Sequence, residues 1–372
     1  MLWQTQLFQL QRMKLYPFLI LTFFTATIAA QESASVVLDK YFQTIGGQSR
    51  IERLQSIYSF ADCTGPNGRY QTELFSAKGS KTIFRQIREN KQDYTGIVNG
   101  DVYWTKNPQA TISNAKSAFV WRSHELQWMA THLTERFNEI TFAGNETFAG
   151  KQAVKLSAFD ELNKPASLYF DKNTNLLLGI IILNPFSETP ETIQMEILDW
   201  KKSGKFLVPS KVSFTDKQGI FVLNFQIIKI NQVDQSVFDV PEKIIAVKEL
   251  MELHELQRKA HFNRDAKLLV SVMADHYTEI SNGKINSPKK EDLIVRFQTY
   301  FDAVTFVEWD DIISPVIDVS EDATMAFMHV NKRVRLITKA QKEELTIFAW
   351  TSTFQKINGN WLMTSITSTV AR

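Results

Sequence analysis

His254, Arg258, His261 and Asp265 follow one another at intervals of four, three and four residues, the spacing that lines side chains along one stripe of an α-helix. A carboxylate one turn from an imidazole can hold the ring in one tautomer and stabilise its protonated form. The stripe is therefore a candidate for general acid–base chemistry, with Asp265 orienting His261. The plainer reading is a solvated helix face opposite Leu250, Leu253, Leu256 and Ala260, with Asp265 capping a helix that begins at Ala266. His329 is a third catalytic candidate; it alternates with Met328 and Val330 on a strand, so it points either into a pocket or out of it. His124-Glu125 opens like a zinc-binding HExxH helix, but residue 128 is Trp128 and His132 lies roughly two turns on. No metal is expected there. For ligand binding the candidates are large apolar side chains: Trp104, Trp128, Met129, Tyr277, Trp350 and Trp361.

The elements that must position these residues change character along the chain. Val37, Leu38, Tyr41, Phe42 and Ile45 recur at helical spacing between a Ser33 or Ser35 cap and Gly46-Gly47. The period then becomes two. Short strands are expected at 57–63, 70–77, 81–88 and 94–98, with hairpin signals at Pro66-Asn67-Gly68 and Asn99-Gly100. A helical stretch from about Ala118 to Phe137 follows, and strands then resume as an antiparallel meander through Ile230. From Ile244 on, helices are expected at 246–264, 266–276 and 288–301. Strands follow at 304–309, 325–338, 345–356 and 361–368, the last two joined at Asn358-Gly359. The basic run Lys332-Arg333-Val334-Arg335 reads as a solvated sheet edge.

Composition bounds the function. The chain has 372 residues, 42 Lys and Arg against 40 Asp and Glu, and an aromatic complement of 27 Phe, 8 Trp and 9 Tyr that favours β-rich structure. Arg12-Met13-Lys14, the uncharged run to Ala30 and the small-residue exit before Gln31 form a secretory signal peptide over 1–30; the run falls short of the about 20 apolar residues of a membrane span. Met13 is an alternative start. Removal of Arg12 and Lys14 leaves basic and acidic residues equal, which argues against nucleic acid as a partner. The single cysteine, Cys63, forms no internal disulfide and reads as a buried or half-buried thiol; it lies too far from the signal to carry a lipid, and the residue directly after Ala30 is Gln31. The expected location is therefore periplasmic or secreted, without a stable membrane span. Asn145-Glu146-Thr147 matches a glycosylation sequon.

Two resemblances add to this reading. The opening helix ending in Ile45-Gly46-Gly47, the stretch Tyr169 to Leu177, and the closing Asn231-Gln232-Val233-Asp234 with Phe238 and Pro241 resemble the periplasmic lipoprotein-carrier (LolA/LolB-like) superfamily. That resemblance implies a curved antiparallel half-barrel covered by helices, with an apolar concavity for acyl chains. Asn263-Arg264-Asp265-Ala266, Tyr277 to Gly283, Phe348-Ala349-Trp350-Thr351-Ser352 and Asn358 to Met363 resemble the nuclear-transport-factor-two-like (NTF2-like, SnoaL-like) superfamily. It implies three helices against a strongly curved sheet, a cone with a pocket inside, in members that are isomerases, dehydratases, cyclases or non-catalytic binding and association modules.

The expected fold class is α+β: residues 31–243 as the half-barrel domain and 244–372 as the cone. The expected function is binding of a hydrophobic or lipid-like small molecule in the half-barrel, with a small-ligand or association module behind it. No cofactor is implied. Binding is favoured over catalysis because each candidate residue also has a structural reading. The alternatives are an isomerase, dehydratase or cyclase using His261 and Asp265, and an envelope assembly module that forms a homodimer through the cone's open sheet face.

Overall fold

The computed structural model of the chain describes residues 33–89, 91–106 and 110–371; the expected signal peptide lies outside them. The first elements of the described residues are α1 (Ala34–Ile45), capped by the Ser33 hydroxyl at Val36 N–H and ended at Gly46, and the short α2 (Gln48–Ile51). The strands β1 (Ser56–Gly65), β2 (Gly68–Ala77), β3 (Lys81–Arg88), β4 (Lys91–Asn99), β5 (Val102–Lys106) and β6 (Ala110–Ile112) form one antiparallel meander. The helices α3 (Ala115–Ser123), α4 (Leu126–Thr131) and α5 (Leu133–Arg136) lead to a second meander. It comprises β7 (Phe137–Phe148), β8 (Lys151–Asp160), β9 (Pro165–Asp171), β10 (Leu177–Leu183), β11 (Thr192–Ser203), β12 (Phe206–Asp216) and β13 (Gly219–Ile230).

Pairing of β1 with β13 joins the two meanders into one 13-stranded antiparallel sheet whose edges, β6 and β7, do not close. The expected half-barrel is thus present. The chain between the two edge strands must cross the sheet, and it does so over the concave side. α3 lies against β3, β4 and β5, α4 against β1 and β12, and α5 against β7. This crossing breaks the single helix expected over 118–137 into three short ones, with bends at His124 and His132. Trp121, Trp128, Met129 and Leu133 from the crossing join Tyr41 and Phe42 of α1 and Leu74, Phe84 and Leu168 of the strands in one continuous core. Buried Glu125 anchors the crossing to the sheet: it accepts from Thr82 Oγ1 at 2.7 Å and from the Arg136 guanidinium at 2.5 Å. Cys63 is buried in this core as expected, and burial pushes its thiol up to about 11.

A 3-10 turn at Gln235–Phe238 leads into α6 (Glu242–Asn263). α7 (Ala266–Ser271), β14 (Met273–Ser281), β15 (Lys284–Asn286), α8 (Lys290–Ala303), β16 (Val304–Val319), β17 (Met325–Thr338), β18 (Glu343–Ile357) and β19 (Asn360–Val370) complete the chain. The second sheet has the order β15-β14-β19-β18-β17-β16 and is antiparallel except where β14 runs parallel to β19. The helix expected over 266–276 stops at Ser271, because the following residues are taken as the strand β14, with Met273 beside Met363 and Thr278 beside Ser365. α6 spans the 243/244 position. Its first turn buries Ile244 beside Trp104 and Phe238 against the first sheet, and its last turns belong to the core of the second. Among the described residues no helix is long and apolar enough to cross a membrane.

Candidate functional site

The helices α6, α7 and α8 and the curved second sheet line a partly open cavity of about 430 Å³. Its walls are aromatic: Phe306 and Trp309 from β16, Phe348 and Trp350 from β18, Phe297 and Tyr300 from α8. Tyr277, Leu269, Met273, Val334, Met363 and Ile366 complete the apolar surface. Strand alternation explains the choice. The residues of β17 with even numbers from Ala326 to Leu336 are buried and odd ones such as Phe327 and His329 are exposed, so one face of a period-two strand lines the interior. Polar side-chain atoms on the wall belong to Gln257, His261, Tyr277, Tyr300 and Ser368 and to the indole N–H groups of Trp309 and Trp350, and none of these side chains is a carboxylate or an ammonium.

His261 is set by three contacts. Its Nδ1 lies 2.7 Å from the Gln257 carbonyl one turn back, and a carbonyl only accepts, so Nδ1 carries the hydrogen. The ring stacks on Trp309 at 4.4 Å and meets the edges of Phe301 and Phe306, each at 5.2 Å. Burial in this apolar setting lowers the His261 pKa to about 4. The imidazole is therefore neutral near pH 7, and Nε2 keeps its lone pair.

The expected partnership with Asp265 is not made. α6 ends at Asn263, Arg264 takes a left-handed conformation (φ 56°), and Asp265 accepts from Leu268 N–H at 2.9 Å as the cap of α7. The stripe divides by its surroundings. Arg258 lies outward, 2.9 Å from Asp310 and over the Phe262 ring. His254 turns inward and is 1% exposed. The buried face of α6 thus runs through Ala246, Leu250, His254, Gln257 and Ala260, so the two histidines belong to the interior rather than to a solvated face. His329 is exposed on the outward side of β17, 2.9 Å from Thr351 Oγ1, away from the cavity.

Of the expected ligand-lining residues, Tyr277 and Trp350 line the cavity. Trp104 is packed in the small cluster beneath α6. Trp128 and Met129 fill the first sheet's concavity, Trp128 stacked on His132 at 4.0 Å. Trp361 is buried beside the middle of α6, where its indole N–H donates to Glu249 Oε2 at 2.8 Å.

A buried polar cluster behind Trp309 went unread in the sequence. Lys332, expected on a solvated edge, is 0% exposed because β17 lies between β16 and β18 and its even residues face inward. Its Nζ lies 2.8 Å from Asp311 Oδ1, 3.1 Å from His254 Nε2 and 3.7 Å from the centre of the Trp309 ring. Burial lowers the proton affinity of Lys332 while Asp311 raises it; burial and then Lys332 lower that of His254. The cluster packs against Trp309, whose ring also stacks on His261.

No family model matches the chain and no curated protein does. Among solved structures, a LolA superfamily protein from Nitrosomonas europaea is 10% identical, with 56% of this chain and 99% of that one covered at a TM-score of 0.42. An NTF2-like protein from Cytophaga hutchinsonii is 15% identical, with 34% of this chain and 98% of that one covered at 0.29. A ketosteroid isomerase-like protein from Erwinia carotovora atroseptica is 13% identical, with 34% and 95% covered at 0.28.

Proposed function

We propose that the chain is an exported, two-domain binding protein, divided near 243/244, and that it holds one small apolar molecule in the cavity between α6, α8 and the second sheet. The observation that carries this reading is the cavity itself. At about 430 Å³ it falls within the roughly 300–1,000 Å³ of small-molecule sites, and its aromatic and aliphatic lining with few polar atoms fits that class. Exclusion of water from those walls supplies most of the affinity, about 25 cal/mol per Å² of apolar surface. A lipid-like ligand in the first sheet's concavity would have to displace α3–α5, whose side chains already fill it; the second cavity needs no such displacement. Binding is favoured over proton transfer because Asp265, the carboxylate that would have served His261, caps α7 instead. Phe327, Leu345 and Ile347, exposed on the outward side of β17 and β18, are where a second copy would pair.

The test uses the neutral fluorophore phenylnaphthylamine and the full chain without residues 1–30. One probe per chain should bind, with energy transfer from tryptophan. Val334→Trp, which fills the cavity, should reduce affinity at least tenfold while the circular dichroism spectrum stays unchanged. Undiminished binding by a folded Val334→Trp variant would place the ligand elsewhere, and recovery of chemically altered ligand from the protein's own envelope would favour an enzyme.

A further inference from the structure

The polar atoms of the cavity bear on the class of ligand, an inference that rests on the binding reading above. The residues of the wall include no lysine, arginine, aspartate or glutamate. Lys332 is near enough to act on His261, but Asp311 lies 2.8 Å from its ammonium and compensates it. His261 spends its one N–H on the Gln257 carbonyl of its own helix. The ring is also wedged between Trp309, Phe301 and Phe306, so it is not free to turn over and present that hydrogen to a ligand. The only polar atom that it can offer is Nε2, an acceptor.

We infer that the cavity selects uncharged molecules that carry a hydrogen-bond donor, an alcohol or phenol on an apolar skeleton, with the donor on His261 Nε2, and that it rejects carboxylates of the same skeleton. A hydroxyl satisfies the Nε2 lone pair. A methyl group in the same place leaves that lone pair buried without a partner. A carboxylate sets negative charge against the lone pair and leaves water for a wall with no cation, which is the costliest of the three.

Calorimetric titration at pH 7 with β-naphthol, β-methylnaphthalene and β-naphthoate tests this, since the three share a skeleton and differ at one substituent. β-Naphthol should bind about threefold to tenfold more tightly than β-methylnaphthalene, the range of one net hydrogen bond, and β-naphthoate should bind most weakly. His261→Phe should abolish the advantage of naphthol while methylnaphthalene keeps its affinity; His261→Gln, which retains an acceptor, should restore part of the advantage. Naphthoate binding as tightly as naphthol, or a naphthol advantage that survives in His261→Phe, would overturn the inference and leave the binding reading standing. Failure of all three compounds to bind the parent would overturn both. If the Phe variant does not fold, the Gln variant and the ranking of the three compounds on the parent still decide the matter.

Discussion

Lys332 lies in a run of charges, yet it sits at an inward position of a strand with neighbours on both sides. Its ammonium tolerates burial because Asp311, His254 and the face of Trp309 together replace the lost water. Removing one member of such a pair strands the other. Lys332→Met should therefore destabilise the protein by about 3 kcal/mol, the lower end for a broken buried pair, because the Asp311 side chain keeps 21% of its surface in water. Lys332→Met combined with Asp311→Leu should recover most of that loss, since an apolar pair of similar volume needs no compensation. Urea unfolding of the single and double variants reads this out; equal stability of parent and Lys332→Met would show that the pair contributes nothing. The same residue-scale lesson covers Asp265. Its spacing from His261 suited an acid–base pair, and only the turn at Arg264 commits it to capping.

Elements were legible where one face alone is buried. The opening helix has the expected five apolar residues buried, and the hairpins at Gly68 and Gly359 fall where the turn chemistry put them. The stretches 118–137 and 266–276 were harder, because there the path of the chain overrides local periodicity: one must bend across a concave sheet, the other gives its end to a parallel strand pair. Gly96 marks how closely the bent crossing packs. A Cβ at that position would lie 2.3 Å from the Trp121 ring of α3, so the indole rides directly on the β4 backbone. Gly96→Ala should cost about 1–3 kcal/mol by overpacking. Combined with Trp121→Leu, the loss should be less than the sum of the two single losses, because the smaller side chain leaves room for the methyl group. Thermal unfolding of the three variants checks this; strict additivity would mean that the two residues do not meet.

At the scale of the whole molecule, both cores hold neutral imidazoles. Burial is the first cause that lowers the pKa of His124 and His132 beneath the first sheet, and of His254 and His261 beneath the second. A depressed folded pKa means that the unfolded chain binds protons first. Stability from these groups is complete above the usual histidine value of about 6.5 and is lost as pH falls toward the folded values. His261, at about 4, alone accounts for a loss of about 3 kcal/mol by pH 4. Urea midpoints measured from pH 7.5 to 5, above the range where most carboxylates titrate, should fall steadily as the solution is acidified. His261→Phe should flatten the dependence; midpoints that hold constant or rise toward pH 5 would show that these rings are not held neutral.

The division into helix and strand and the α+β class were written in periodicity and turn residues, because those signals depend on neighbours a few positions apart. Which side chains meet depended on contacts between residues far apart in the chain. His261 is joined to Trp309 by the packing of α6 on β16, and Lys332 to Asp311 and His254 by strand register and the same helix. Trp128 and Trp350 look alike in sequence, yet one fills the first core and the other lines the cavity. The physical reason is that burial and pairing belong to the closed three-dimensional surface: a local pattern tells a strand or helix which of its faces is apolar, but the topology decides what that face encloses.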